Sequence, residues 1–249
     1  MRTIVIGDIH GCLVELQELV AKLKYRQGVD RLILAGDLVD RGPDSVGVIR
    51  YAMSIGAEAV CGNHDNKLLR RAKHIAKQQS NPEYVNPMQP DSAQEQMIAN
   101  LSNAELAWLS SLPYHIKLEQ HNAVVAHAGI VPGVPLVRQR DEAFMMVRYI
   151  DNDSQKMKHM IMPGYIRPEN SHYWADRYNG SFDVIFGHNV VGHEDIRVWE
   201  NPNGGRCYGI DTGCVFGGRL SALVMEQGDK RSVVQVNAKQ EYCVGHMIE

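Results

Sequence analysis

The sequence predicts an α/β protein. Short apolar runs alternate with helix-period segments through the N-terminal part of the chain. Several of those runs close on small residues followed by Asp, Asn or His. The tail then alternates strand-like stretches with no helical pattern between them.

RTIVIG (2–7) reads as the first strand, after which Leu13, Leu16, Leu19, Val20 and Leu23 recur at the spacing of one helix face. RLILAG (31–36) is the second strand, and Pro43 suits the first turn of the helix after it. AEAVCG (57–62) is the third, followed by a helix over about 66–77. Residues 80–100, with Pro82, Pro87 and Pro90, read as a surface connection, and SNAELAWLSSLP (102–113) as another helix. NAVVAHAGI (122–130) and DVIFGHN (183–189) are further buried-strand patterns. Residues 151–172 are polar and irregular, an insertion or lid within the broader stretch 130–175. The tail segments DIRVW, RCYGID, RLSALVM and SVVQVN read as antiparallel strands.

Composition narrows the class. The chain has 249 residues, 44% apolar and 22% charged, with a formal charge of −3. That is ordinary globular composition, enough for a sizeable core and compatible with one domain over 1–249. No strong basic excess points to duplex nucleic acid. The start, MRTIVIGDIHG, lacks the long apolar stretch of a signal peptide, and no run approaches the roughly 18 apolar residues of a membrane span. Five cysteines, odd in number and without a C-x-x-C pair, predict a reduced, cytoplasmic protein. In the basic run KLLRRAKHIAK, Leu68, Leu69, Ala72 and Ile75 keep a helical apolar stripe, so the cations read as a solvated helix face rather than an RNA or polyphosphate track. His74, His115, His121, His159, His172 and His246 read as surface or packing residues, and Cys12 and Cys61 as core. Met145, Met146, Met157, Met160 and Met162 line the lid or pack, and the sequence alone does not choose.

The strand ends carry the chemistry. The first delivers Asp8 and His10; the second Asp37, Asp40 and Arg41; the third Asn63, His64 and Asp65; the later two His127 and His188. In open α/β sheets the C-terminal strand edge is where ligands bind, because the loops converge there. Carboxylate, amide and imidazole donors suit manganese, iron, zinc or magnesium. Seven ligand positions from six side chains fit two metals sharing one aspartate, and two ions about 3.5–4 Å apart form the clamp used in phosphoryl hydrolysis. Arg41 offers a planar donor pair to a phosphate oxygen. His64 is placed to protonate a leaving oxygen, its ring held by Asp40 or Asp65.

GDIHG, GDLVDRGP, GNHD, HAG and GH, in that order over residues 7–188, resemble the calcineurin-like metallophosphoesterases, and more closely their phosphoprotein-phosphatase branch. AHAGIVPGVPLVRQ, MMVRYI, FGHNVVG and GIDTGCVFGGRLSALV are similar to the symmetrical diadenosine tetraphosphatases and the ApaH-like phosphatases, a likeness that extends to about residue 225. The resemblance implies a sandwich of two mixed β-sheets flanked by helices. It also implies two divalent ions, manganese first and iron, zinc, cobalt or magnesium as alternatives. Carried over by motif, Asp8 and His10 bind one ion, Asp37 bridges, and Asn63, His127 and His188 complete the second. His64 becomes the general acid oriented by Asp40, Arg41 and Arg148 contact phosphate, and Asp211 supports the site from behind. One departure stands out: Asn189 follows the histidine of FGHN, where relatives often carry Asp or Thr. The implied reaction is attack of a metal-bound hydroxide on a phosphoanhydride, in a dinucleoside tetraphosphate, a nucleotide-capped RNA end or polyphosphate. The alternative is a phosphoserine/phosphothreonine protein phosphatase. A non-enzymatic scaffold predicts a broken ligand position, and none is found.

Overall fold

Every residue is buried in most of the strands that lead to the candidate site, and successive side chains enter different core layers. In the computed structural model, which describes residues 1–158, 167–228 and 230–244, Ile4 and Ile6 enter one cluster with Leu32 and Leu34. Val5, between them, enters another with Ile33, Val125 and Ile185. Val124, Ala126, Val184 and Phe186 face a third layer with Phe144 and Trp174. Successive side chains of a strand point to opposite faces, so strands covered on both faces must be apolar throughout. That is why IVI, LIL, VVA and VIF carry no polar interruption.

The elements run β1 (Thr3–Ile6), α1 (Leu13–Lys22), β2 (Arg31–Leu34), α2 (Ser45–Ser54), β3 (Glu58–Ala59), α3 (Asn63–Ser80), α4 (Ser92–Asn100), α5 (Asn103–Ser110), β4 (His115–Leu118), β5 (Ala123–Ala126), α6 (Asp141–Met146), β6 (Tyr149–Asp151), β7 (Met157–Lys158), β8 (Ser171–Tyr173), β9 (Asp183–Phe186), β10 (Arg197–Glu200), β11 (Arg206–Gly209), β12 (Arg219–Met225) and β13 (Arg231–Asn237). One five-stranded sheet has the order β13-β12-β1-β2-β3 and the other β10-β11-β9-β5-β4. Both are mixed. In the first, β1, β2 and β3 are parallel and β12 is antiparallel to β1. In the second, β5, β9 and β11 are parallel, with antiparallel β4 and β10 at the edges. The Val5, Ile33 and Leu223 registers bring the inner faces together, while α1, α2, α3 and α5 contribute to the outer cluster of the first sheet.

The sandwich and its flanking helices are as expected, but several local readings are corrected. The surface connection over 80–100 contains α4, capped by the Asp91 side chain, which accepts from Gln94 N at 3.1 Å. Three prolines obscured a helix that begins just beyond the last of them. Helix α3 starts at Asn63 rather than near 66, so GNHD is its first turn and not a preceding loop. Edge strand β4 carries a charged alternation, HIKL, that reads poorly as a buried run. The tail is antiparallel only pairwise: β11 joins β9 in parallel within the second sheet, whereas β12 and β13 belong to the first. Inside 151–172, β7 and β8 flank β6 in a third, three-stranded sheet. Met145 is buried, Met157 is packed against the third layer and Met146 is exposed. Met160, Met162, His159 and His246 lie outside the described residues.

Candidate active site

The C-terminal ends of β1, β2, β3, β5 and β9 open on one edge, and the segments after β1, β2 and β9 turn tightly. Nine non-glycine residues have positive φ among the described residues, and five of them are site residues: His10 (44°), Asp37 (49°), Asp40 (70°), Arg41 (69°) and His188 (67°). Side chains larger than glycine rarely hold that conformation, and such residues persist where the surrounding structure over-determines them. Here the turns are cross-braced. His10 N and Gly11 N donate to the carbonyls of Asp37 and Leu38, at 2.8 and 3.0 Å. Two glycines allow the close approach: a Cβ on Gly62 would lie 2.2 Å from Asp37 Oδ1, and one on Gly187 only 1.9 Å from Asp8 Oδ1.

Around this frame the donors converge. His10 Nδ1 donates to Val39 O at 2.8 Å, which turns Nε2 towards Asp37 Oδ2 at 3.4 Å and Asp8 Oδ2 at 4.0 Å. His127 repeats the device: Nδ1 to Ala35 O at 2.9 Å, Nε2 at 3.4 Å from Asp37 Oδ2 and 3.0 Å from Asn63 Oδ1. A backbone carbonyl accepts only, so each ring is fixed with its Nδ1 protonated. Asp8 takes the His188 backbone N–H on both oxygens, at 3.0 and 3.1 Å. Two groups of possible metal donors result, His10–Asp37–His64 and Asp37–His127–His188, each with its ligand atoms within 4.8 Å of one another. Asp37 belongs to both, and His188 completes the second. In the first group His64 stands where Asp8 was expected.

The electrostatics agree with a cation site. Burial lowers His10 to about 3 and, together with Arg148, holds His188 well below the ordinary histidine range, so both rings are neutral, as metal ligands must be. Burial, with Asp211 and Asp37 nearby, raises Asp8. Burial also works against the charged form of His127, but Asp37 and Asp8 outweigh it and raise that ring to about 10. Burial opposes ionisation of Asp37 too, yet His127 and His64 hold it well below the usual carboxylate range. Buried carboxylates of this kind need a compensating cation, and His127 supplies only one charge to two of them. The oxygen and imidazole donor set therefore fits divalent ions.

His64 lies on α3, with its Nδ1 2.7 Å from Asp40 Oδ2. Asp40, not Asp65, is its partner. Asp65 instead accepts from Leu38 N and Gly62 N, each at 2.9 Å, and ties the second and third ligand loops together. The Asp40 carboxylate also accepts from Gln94 Nε2 at 3.0 and 2.8 Å, and Gln94 Oε1 accepts from Arg71 Nε at 2.7 Å. Arg71 is 2% exposed, which corrects the solvated-face reading for that member of KLLRRAKHIAK. Gln94 and Arg71 are the residues that sequence reasoning missed. Their only signal was an arginine on the apolar side of the α3 stripe.

The two arginines reach the donors from opposite sides. Arg41 Nη1 is 2.8 Å from His10 Nε2, with its guanidinium 5.1 Å from the centre of the Phe216 ring. Arg148 Nε donates to His188 Nε2 at 2.9 Å. Asp211 is buried and accepts from Gly213 N at 3.0 Å, so it caps the turn while its charge bears on Asp8. His172 and His115 pack as read, the latter stacked on Phe144 at 4.5 Å. Cys12 and Cys61 are buried and free.

Comparison with known proteins returns the same neighbourhood. The family model described as calcineurin-like phosphoesterase matches residues 1–218. The symmetrical bis(5'-nucleosyl)-tetraphosphatase of Proteus mirabilis is 30% identical over 94% of this chain and 97% of its own length. The asymmetrical bis(5'-nucleosyl)-tetraphosphatase PrpE of Oceanobacillus iheyensis is 27% identical over 97% and 94%. Among solved structures, one provisionally described as a diadenosine tetraphosphatase superposes with a TM-score of 0.76 at 33% identity, over 95% of this chain and 93% of that one.

Proposed function

The chain belongs to the calcineurin-like phosphoesterase family, and on that premise we propose that it hydrolyses the phosphoanhydride bonds of nucleoside polyphosphates. One observation carries the reading: two donor groups share Asp37, and an arginine stands beside a histidine of each, Arg41 at His10 and Arg148 at His188. Two divalent ions held by Asp8, His10, Asp37, Asn63, His127 and His188 would supply Lewis acidity to the phosphate oxygens and lower the pKa of water; manganese is our first choice.

The chain's own groups do the rest. The histidines are presented in fixed tautomers by Val39 and Ala35, so the site is preorganised. Arg41 and Arg148 bind non-bridging phosphate oxygens and gather the negative charge that shifts as the bond breaks. In the reaction the oxygen of water bonds to phosphorus and its proton passes to solvent, while the bridging P–O bond breaks and the departing phosphate leaves with the bond pair. His64, held by Asp40, stands ready to give that oxygen a proton. A nucleoside phosphate leaves well as an anion, so anhydride cleavage leans less on this proton than ester cleavage does.

Product analysis tests the reading directly. Manganese-loaded protein is incubated with diadenosine tetraphosphate, and with a phosphoserine peptide in parallel. Nucleotide products with the peptide untouched support anhydride hydrolysis: ADP alone marks symmetric cleavage, and AMP with ATP marks asymmetric cleavage. Phosphate released from the peptide, with the dinucleotide intact, overturns the proposal in favour of a protein phosphatase.

A further inference from the structure

Beside the candidate centre lies a second recess, of about 240 Å3, lined by Tyr149, Tyr173, Asp176, Asn189, Arg197 and Trp199 among others. Its size is below the roughly 300 Å3 at which clefts for drug-sized ligands begin, so it accommodates one ring system rather than a whole dinucleotide. The walls are flat and conjugated. Tyr173 lies 5.6 Å from Trp199 and 6.1 Å from Tyr149 between ring centres, and the Arg197 guanidinium covers Trp199 at 4.6 Å. Hydrogen bonds set these planes. Trp199 Nε1 donates to Asp176 Oδ1 at 2.9 Å, and Asn189 Nδ2 donates to the Tyr173 hydroxyl at 3.0 Å. Asn189 is 2% exposed, so this bond holds the Tyr173 ring from behind the wall.

The recess adjoins the phosphate side along the chain. Asn189 directly follows His188, and Tyr149 directly follows Arg148, whose Nε bonds His188. One residue step, ~3.8 Å between Cα atoms, thus separates Tyr149 from Arg148 and Asn189 from His188. Planar heterocycles are held in proteins by aromatic rings and guanidinium planes, with polar edge contacts choosing among them.

We propose that the recess between β6, β8, β10 and the turn after β9 is a nucleobase subsite, in which Trp199, Arg197 and Tyr173 hold one base of a nucleoside polyphosphate. The proposal rests on the phosphoanhydride reading for the identity of the ligand, but not for the existence of the subsite. It gives Asn189, the departure from the motif pattern, a job: positioning the Tyr173 ring.

Two measurements separate the two readings. The first is calorimetric titration with AMP and with ribose 5-phosphate, metal chelated so that nothing turns over, on wild-type, Trp199→Ala and Arg197→Ala protein. Both variants alter the rim, and Arg197 is exposed, so folding is not at stake for it. We expect AMP to bind at least about tenfold tighter than ribose 5-phosphate, and Trp199→Ala to remove about tenfold of AMP affinity, the scale of one lost stacking contact. Equal binding of the two ligands, or variants that leave AMP affinity unchanged, overturns the subsite. The second measurement is the KM of manganese-loaded enzyme for diadenosine tetraphosphate and for inorganic tripolyphosphate. The variants should raise the first about tenfold more than the second, and parallel rises overturn the subsite. If wild-type protein cleaves neither anhydride, the phosphoanhydride reading fails, while the subsite is decided by the titration.

Discussion

Two neighbouring regions of this molecule are built in opposite ways. On the motif-bearing edge, each apolar strand delivers its own candidate site residues within a few positions of its end: Asp8 and His10 after β1, Asp37 to Arg41 after β2, Asn63 and His64 after β3. Positive φ shapes several of these turns, and bonds and close glycine contacts between neighbouring turns hold the residues in place. On the adjoining side, Tyr149, Tyr173, Asn189 and Trp199 come from four separate segments, and only the packing of β6, β8 and β10 around the turn after β9 brings them together. The difference teaches where each kind of specificity resides. Chemistry that requires fixed donor angles is placed on short turns from rigid strands. Recognition of a flat ring is distributed over surfaces whose composition is free to vary.

The sharpest way to break this comparison is at the shared carboxylate. Asp37→Asn should lower kcat on diadenosine tetraphosphate by about 10³-fold, the upper end for loss of one preorganised electrostatic contact. Manganese bound per chain, measured on the purified variant, should fall with it. A variant that keeps both refutes the placement of Asp37 between the two donor groups.

His64→Ala asks whether the edge does acid catalysis at all. Turnover of an alkyl phosphoester should drop by about 10²–10³-fold, and that of the tetraphosphate by about tenfold or less. Equal losses on both substrates remove His64 as the proton donor.

Gln94→Ala probes a contact that reaches the edge from a distant helix. Gln94 bonds both oxygens of Asp40, so its loss should cost about tenfold on the alkyl ester, as for other partners that only orient a functional group, and less on the tetraphosphate. An unchanged ester rate would mean that the His64–Asp40 contact at 2.7 Å stands without that support.

The smallest effect belongs to a control outside both regions. Glu105 caps α5 and bonds Arg50 Nε at 2.7 Å, and this pairing with the cap lowers its pKa from the ordinary 4.5 to about 2. A carboxylate that is more acidic in the folded chain stabilises it fully above the unfolded value, and the gain disappears as pH falls towards the folded one. Wild type should therefore melt above Glu105→Gln at pH 6, and the two Tm values should converge between pH 4.5 and pH 2. A gap that persists at pH 2 means the glutamine costs something other than charge.

Legibility followed the same division. The apolar runs, the helices after them and the residues Asp8, His10, Asp37, Asn63, His64, His127 and His188 could be read because each motif is contiguous and its chemistry unusual at a strand end. Asp40 was one of two candidates for holding His64. The choice over Asp65 depended on which carboxylate faces Nδ1, which spacing cannot say. Helix α4 was lost behind Pro82, Pro87 and Pro90, and with it Gln94. A charged residue on a helix usually reads as solvated, yet α4 packs over Arg71 and supplies Gln94 Oε1, and the segment before α4 supplies Gln89 O. The third sheet in the 149–173 stretch was invisible, its strands being short, polar and paired only by tertiary contact.

What the amino-acid order determined by itself was therefore the class of fold and the inventory of donors, since continuous apolar runs and the polar residues that close them are properties of a few consecutive residues. What only the tertiary structure decided was which donors share Asp37, which carboxylate holds His64, and that Asn189 belongs to the wall of an aromatic recess. Those relations join residues far apart in the chain, and the packing of two sheets and their covering layers, rather than any local preference, sets the distances between them.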